Sequence, residues 1–169
     1  ELSRIAMDTN FSHLDGQGNV TMVDVGHKAA TERVAIAEAV VELSPATLEL
    51  LLKVALPKGD VLTCAKIGGI MASKRVGELI PLCHPLNLSF ADIRFDVSQM
   101  PPRIRIEAET RTVSNTGVEM EAIVAAQTAA AVIYDMCKAV QRDIVISHVR
   151  LLHKRGGKSG EFNAQDFKA

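Results

Sequence analysis

Phe90-Ala91-Asp92-Ile93-Arg94-Phe95-Asp96-Val97 runs, through Met100-Pro101-Pro102, into Ile104-Arg105-Ile106-Glu107-Ala108-Glu109-Thr110-Arg111. This stretch decides the fold class. Ala91, Ile93, Phe95 and Val97 alternate with Asp92, Arg94 and Asp96. Past the prolines, Ile104, Ile106 and Ala108 alternate with Arg105, Glu107, Glu109 and Arg111. Successive strand side chains point to opposite faces, so each run has one apolar and one charged face. Two such runs joined by a Pro-Pro turn read as an antiparallel hairpin, dry on one side and wet on the other. The charges pair across strands as Asp/Arg and Glu/Arg, and their plainest reading is a solvated sheet surface.

Upstream, Thr21-Met22-Val23-Asp24-Val25 reads as a short strand after the turn Asp15-Gly16-Gln17-Gly18-Asn19. Residues 33–43 carry two apolar sets, Ile36 and Val40 against Ala35, Ala37, Ala39, Val41 and Leu43. That suggests a strand covered on both faces, although the alanines leave a helix open. Ser44-Pro45 starts a helix, with Ser as N-cap and Pro in the first turn. Asp60 caps a second helix that should run to about residue 79. Gly68-Gly69 inside it cost ~1 kcal/mol each relative to Ala and suit close approach of another backbone. Residues 118–140 form a long helix rich in Ala and Met and short of charge, hence buried. A last strand spans 144–152. The expected order is β-β-α-α-β-β-α-β, an α+β fold with an antiparallel sheet and helices packed on one face.

The whole chain has 169 residues, 19 Lys+Arg against 20 Asp+Glu, and a net charge of −1. One domain of this size buries roughly 70% of its unfolded surface without metal or disulfide staples. Charge balance argues against a nucleic-acid partner, and one Tyr, five Phe and no Trp leave few platforms for stacking bases. A hydrophobic share of 47% excludes a disordered chain. Cys64, Cys83 and Cys137 form no CxxC pair and read as reduced intracellular thiols. No run reaches the ~18 apolar residues of a membrane span. The expectation is a cytoplasmic protein.

Three places hold residues of chemical interest. Asp135 and Lys138, one helical turn apart, are an ordinary ion pair or a placed proton donor. Glu121 lies on nearly the same face as Asp135, but about 21 Å away along the axis, so both can serve one reaction only across a large ligand or a subunit interface. His84, held between Pro81 and Pro85, is a structural histidine or a positioned one. Beside it, Cys83 lacks any feature favouring a thiolate. The tail 154–160 is basic and Gly-rich, yet Gly157-Lys158-Ser159 fails as a phosphate loop because Leu152 stands where a glycine is needed. Its lysines and backbone N–H groups can still receive phosphate. The five His and three Cys show no metal-ligand spacing.

Six segments then occur in a telling order: Met22-Val23-Asp24-Val25, Lys58-Gly59-Asp60-Val61, Leu79-Ile80-Pro81-Leu82-Cys83-His84-Pro85-Leu86, Thr116-Gly117-Val118-Glu119-Met120-Glu121-Ala122, Tyr134-Asp135-Met136-Cys137-Lys138-Ala139 and Gly156-Gly157-Lys158-Ser159-Gly160. On these the chain resembles the MoaC family of cyclic pyranopterin monophosphate synthases, molybdenum cofactor biosynthesis protein C. The resemblance covers residues 11–162, one catalytic domain between a flexible arm at 1–10 and a tail at 163–169. It implies a ferredoxin-like fold. It also implies a hexamer, a trimer of dimers with active sites at dimer interfaces. The implied reaction converts 3′,8-cyclo-7,8-dihydro-GTP to cyclic pyranopterin monophosphate with loss of pyrophosphate. It requires no cofactor, and the phosphates leave room for Mg²⁺. By the same resemblance, Asp135, Lys138, Lys58 and Lys74 do acid–base work. Leu82, Cys83, His84, Met120 and Glu121, with Glu119 and Asp24, bind the substrate's ring, while Arg33, His84, Lys154 and Lys158 bind its phosphates. The competing reading is a non-catalytic ferredoxin-like module for a nucleotide or a protein. Keeping Lys58, His84, Glu121, Asp135 and Lys138 together favours the enzyme. The scarcity of aromatics predicts a ring held by hydrogen bonds and aliphatic contacts such as Met120.

Overall fold

Ala35, Ala37, Ala39 and Val41 all have no exposed surface, while Val34, Glu38 and Val40 alternate with them. That period of two settles the ambiguous alanine-rich segment as a strand. In the computed structural model, which describes residues 13–165, it is β1, Thr31–Glu42. The proposed arm at 1–10 lies outside the described residues, as does the end of the tail. The expected hairpin forms from β2, Phe90–Gln99, and β3, Pro102–Ser114. With β4, Val145–Arg155, and β5, Phe162–Asn163, they give one antiparallel sheet ordered β2-β3-β1-β4-β5.

Four helices complete the order: α1, Pro45–Leu52; α2, Val61–Ser73; α3, Val76–Leu79; α4, Glu119–Cys137. Setting aside short α1 and α3, the path is β1-α2-β2-β3-α4-β4, the ferredoxin-like arrangement, with β5 added at one edge. Both sequence-legible caps form. Ser44 Oγ accepts from Thr47 N at 3.2 Å, and Asp60 Oδ1 accepts from Thr63 N at 3.0 Å. Each such cap is worth ~1 kcal/mol.

Helix α4 packs over β1 and β3 with Ala122, Ala126, Ala129, Ala130 and Ile133 fully buried. At 19 residues it is long and apolar enough to cross a membrane, against the sequence expectation, but its apolar surface is spent on this core. Gly68 and Gly69 let α2 lie against it. A Cβ on Gly69 would meet Ala125 O at 2.7 Å, Ala129 Cβ at 3.3 Å and Ile93 Cδ1. Gly69→Ala therefore sets a helix-propensity gain of ~1 kcal/mol against an overpacking cost of ~1–3 kcal/mol. Because a backbone carbonyl cannot swing aside, the cost should prevail, and thermal unfolding should show a lower Tm.

Several expectations need correction. Residues 21–25 form no strand; both edges of β1 are already taken, and the segment is held instead by turn and side-chain bonds, Thr21 N donating to His13 O and Lys28 N to Val25 O. The helix expected to reach residue 79 ends at Ser73, whose Oγ donates to its own turn at Ile70 O, 2.7 Å, and α3 then sets Gly77 against Pro85. Helix α4 stops at Cys137, and β5 was not foreseen. The outer sheet face is not simply solvated. Glu38 and Glu109 are only 5% and 8% exposed there, wrapped by arginines. Glu38 accepts from Arg105 and Arg150, and Glu109 from Arg94 and Arg111. Burial favours the neutral form of both acids, yet these hydrogen bonds outweigh it and hold their pKa values below the ordinary range.

Candidate active site

Two buried threonines on β3 fix the walls of a large cleft. Thr110 Oγ1 donates to Val118 O at 3.1 Å, anchoring the start of α4, and Thr112 Oγ1 donates to Asn87 O at 2.7 Å, anchoring the loop that carries His84. Asn115 Nδ2 donates to Val25 O at 3.1 Å and ties down the third wall. Between them lies a cavity of about 920 Å³. It gathers Arg33, Leu82, Cys83, His84, Glu119, Met120, Glu121, Lys154 and Lys158 from distant parts of the chain. It also holds His13, His27 and Lys28, which sequence reasoning missed because they flank the segment read as a strand and belong to none of the motifs quoted.

Arg33 crosses the floor, donating to Ser114 O at 3.2 Å and Asn115 O at 3.3 Å. The turn 156–160 lies directly on it. Gly156 and Gly157 have φ of 102° and 77°, and a Cβ on Gly157 would strike the Arg33 guanidinium. These glycines are needed for a left-handed turn pressed on an arginine, which brings Lys158 and Ser159 over the cleft. Lys154 Nζ donates to Ser159 Oγ at 2.7 Å and sits 3.2 Å from Glu119 Oε1.

Glu121 is 3% exposed. Burial pushes its carboxyl up to about 7, and neighbouring Glu119 adds to the rise. Burial, helped by Glu121, also raises the Cys83 thiol, which disfavours a nucleophilic role. Between the ordinary carboxylate range and about pH 7 the folded chain holds more protons at Glu121 than the unfolded one, so stability falls as pH rises through that window. Glu121→Gln should remove that slope. Its Tm should match wild type near pH 4.5 and exceed it at pH 8, by a stability difference on the order of 1–3 kcal/mol in chemical denaturation.

The remaining candidates lie elsewhere. Lys74 lines a smaller groove of about 450 Å³ with Arg75 and Glu78, joined to the cleft through Leu86 and Glu121. The Asp24 carboxylate is turned into its own loop, accepting from Gly26 N at 2.9 Å. Lys58, Asp135 and Lys138 meet at the far end of α4. Lys58 Nζ is 2.5 Å from Asp135 Oδ2 and donates to Asp135 O, and Lys138 Nζ is 2.7 Å from Asp135 Oδ1. Hydrogen bonds from Lys138, then Lys58, hold Asp135 down at about 2, and Asp135 in turn raises Lys138. All three side chains are about half exposed, so this pair does not sit in the apolar setting its helix suggested. Within one protomer the triad is separated from Glu121 by fourteen helical residues, about 21 Å.

A family model described as the MoaC family matches residues 22–157. The chain is 88% identical over 162 residues to the cyclic pyranopterin monophosphate synthase of Desulfovibrio desulfuricans, covering 96% of this chain and 99% of that protein. It is 67% identical over 155 residues to the synthase of the same name from Nitratidesulfovibrio vulgaris, covering 92% and 96%. Over 161 residues it is 51% identical to that of Pelotomaculum thermopropionicum, covering 95% of each.

Proposed function

The chain belongs to the MoaC family, and from that premise we propose that it forms cyclic pyranopterin monophosphate, an early step of molybdenum cofactor biosynthesis, from 3′,8-cyclo-7,8-dihydro-GTP. One observation carries the reading. A single helix joins a cleft lined by Lys28, Arg33, Lys154 and Lys158 at its start to a lysine–aspartate–lysine triad at its end.

The cleft cations and His84 take the phosphates. As a carboxylate Glu121 accepts from the N–H groups of the guanine-like edge, and when protonated its O–H donates to an acceptor oxygen or nitrogen of the same ring, with Met120 and Leu82 against it. A sugar hydroxyl attacks the α-phosphorus. The new P–O bond forms as the bond to the β-phosphate oxygen breaks, pyrophosphate leaves, and the hydroxyl proton passes to a base. Lys138, poised by Asp135 and flanked by Lys58, supplies the proton transfers of ring opening and closure. This reading needs no resident cofactor; Mg²⁺, where it takes part, arrives with the substrate's phosphates.

The distance between cleft and triad is the reason to propose a composite site. In a two-fold dimer, the start of α4 from one protomer would face the end of α4 from its partner, and three dimers would complete a hexamer. We place the protein in the cytoplasm with its nucleotide-derived substrate. The test is to supply the cyclised dihydro-GTP and follow pyrophosphate release together with pterin fluorescence after oxidation. Equal yields of both are expected, and absence of both from folded oligomer overturns the reading.

A further inference from the structure

Lys154 carries an internal counter-ion in a cleft that also presents Lys28, Arg33 and Lys158. Its Nζ lies 3.2 Å from Glu119 Oε1 and donates to Ser159 Oγ at 2.7 Å. Both charged side chains are partly buried, 24% and 28% exposed, so the attraction is screened less than that of a fully exposed pair. Among the described residues, Lys28 and Lys158 of the same cleft have no carboxylate partner. Glu119 is held in this pose by the absence of a side chain at residue 117. A Cβ on Gly117 would lie 2.6 Å from Glu119 Cδ, 2.7 Å from Oε1, and against Oε2. The helix it begins has no side-chain cap at Val118, so a carboxylate in its first turn is favoured by the exposed N–H groups.

We propose that Glu119 competes with substrate phosphate for Lys154 and so governs release of the pyrophosphate product. The inference rests on the function proposed above. A substrate bound at once by its ring and its phosphates brings enough charge to displace one carboxylate. Once the P–O bond breaks, pyrophosphate loses the tether of the ring. Glu119 then returns to Lys154 and lowers the affinity of the site for the free anion. Glu119 touches no reacting atom in this scheme; it sets how long Lys154 remains available.

Titration calorimetry with inorganic pyrophosphate tests this in the intact oligomer, independently of turnover. Glu119→Gln should bind pyrophosphate about tenfold tighter, equivalent to ~1.4 kcal/mol. Lys154→Ala should bind it more weakly, and the double variant should lose the gain. Gly117→Ala keeps the charge but expels the carboxylate from its seat, and it should tighten binding as well. In turnover, Glu119→Gln should lower kcat and KM together, because a slow product-release step is added. Unchanged or weaker pyrophosphate binding in both Glu119→Gln and Gly117→Ala overturns the proposal, since Glu119 would then merely position Lys154. Tightening in a protein that releases no pyrophosphate from the cyclised substrate would instead uphold the competition and sink the assigned reaction.

Discussion

Asp135→Asn is expected to cut turnover on the order of 10²–10⁴-fold, the range for losing a positioned acid–base partner, while substrate affinity stays near that of wild type. Asp135 is the group that brings Lys58 and Lys138 together, one lysine on each carboxylate oxygen. Asn keeps the size but removes the charge, so the lysines repel and Lys138 loses the support that raises its pKa. The cations proposed to take the phosphates line a cavity at the other end of α4, so binding should be retained. Tm should barely move, because exposed ion pairs contribute little to stability. Single-turnover rates beside equilibrium binding of the cyclised substrate separate these effects. A wild-type rate in the variant removes Asp135 from the mechanism.

What local pattern encodes is legible in the sequence alone. The hairpin of β2 and β3 is visible because its period-two alternation spans two full strands and its turn is marked by prolines. The starts of α1 and α2 are visible because Ser44 and Asp60 act within three residues of themselves. Strand β5 is two residues long and exists only because β4 offers an edge, which no local pattern announces. The segment 21–25 failed for the converse reason: β-branched residues are present, but it lies along the cleft and pairs with no strand of the sheet. Glu109 reads as solvated because alternation places it on the hairpin's charged face; its burial, like that of Glu38, comes from arginines on other positions and strands. The site divides in the same way. Asp135 and Lys138 are one turn apart and could be paired by eye, but Lys58 joins them from 77 residues away. Arg33, His84, Glu121 and Lys154 converge only through the sheet, and family motifs, not spacing, pointed to them together. Lys28 and His27 were missed because they lie in a loop outside every quoted motif, and only the tertiary fold makes that loop a cleft wall.

The separation along α4 yields the other large expected effect. Glu121→Ala and Asp135→Ala should each leave almost no activity alone, the first by stripping the cleft of its buried carboxyl, the second by dissolving the lysine triad. If one site joins the start of α4 from one protomer to the end of α4 from its partner, a mixed oligomer contains intact sites. Each intact site pairs the cleft of an Asp135→Ala subunit with the triad of a Glu121→Ala subunit. Random mixing in equal amounts makes about a quarter of all sites intact under two-fold pairing. Co-expression of the two variants with different affinity tags, followed by tandem purification, isolates the mixed oligomer without depending on subunit exchange. Recovery to roughly this fraction of wild-type turnover is expected. Activity no higher than in the single variants would mean that cleft and triad act within one chain. The ~21 Å between them would then have to be bridged by the substrate itself, or one of the two groups would have no part in the reaction.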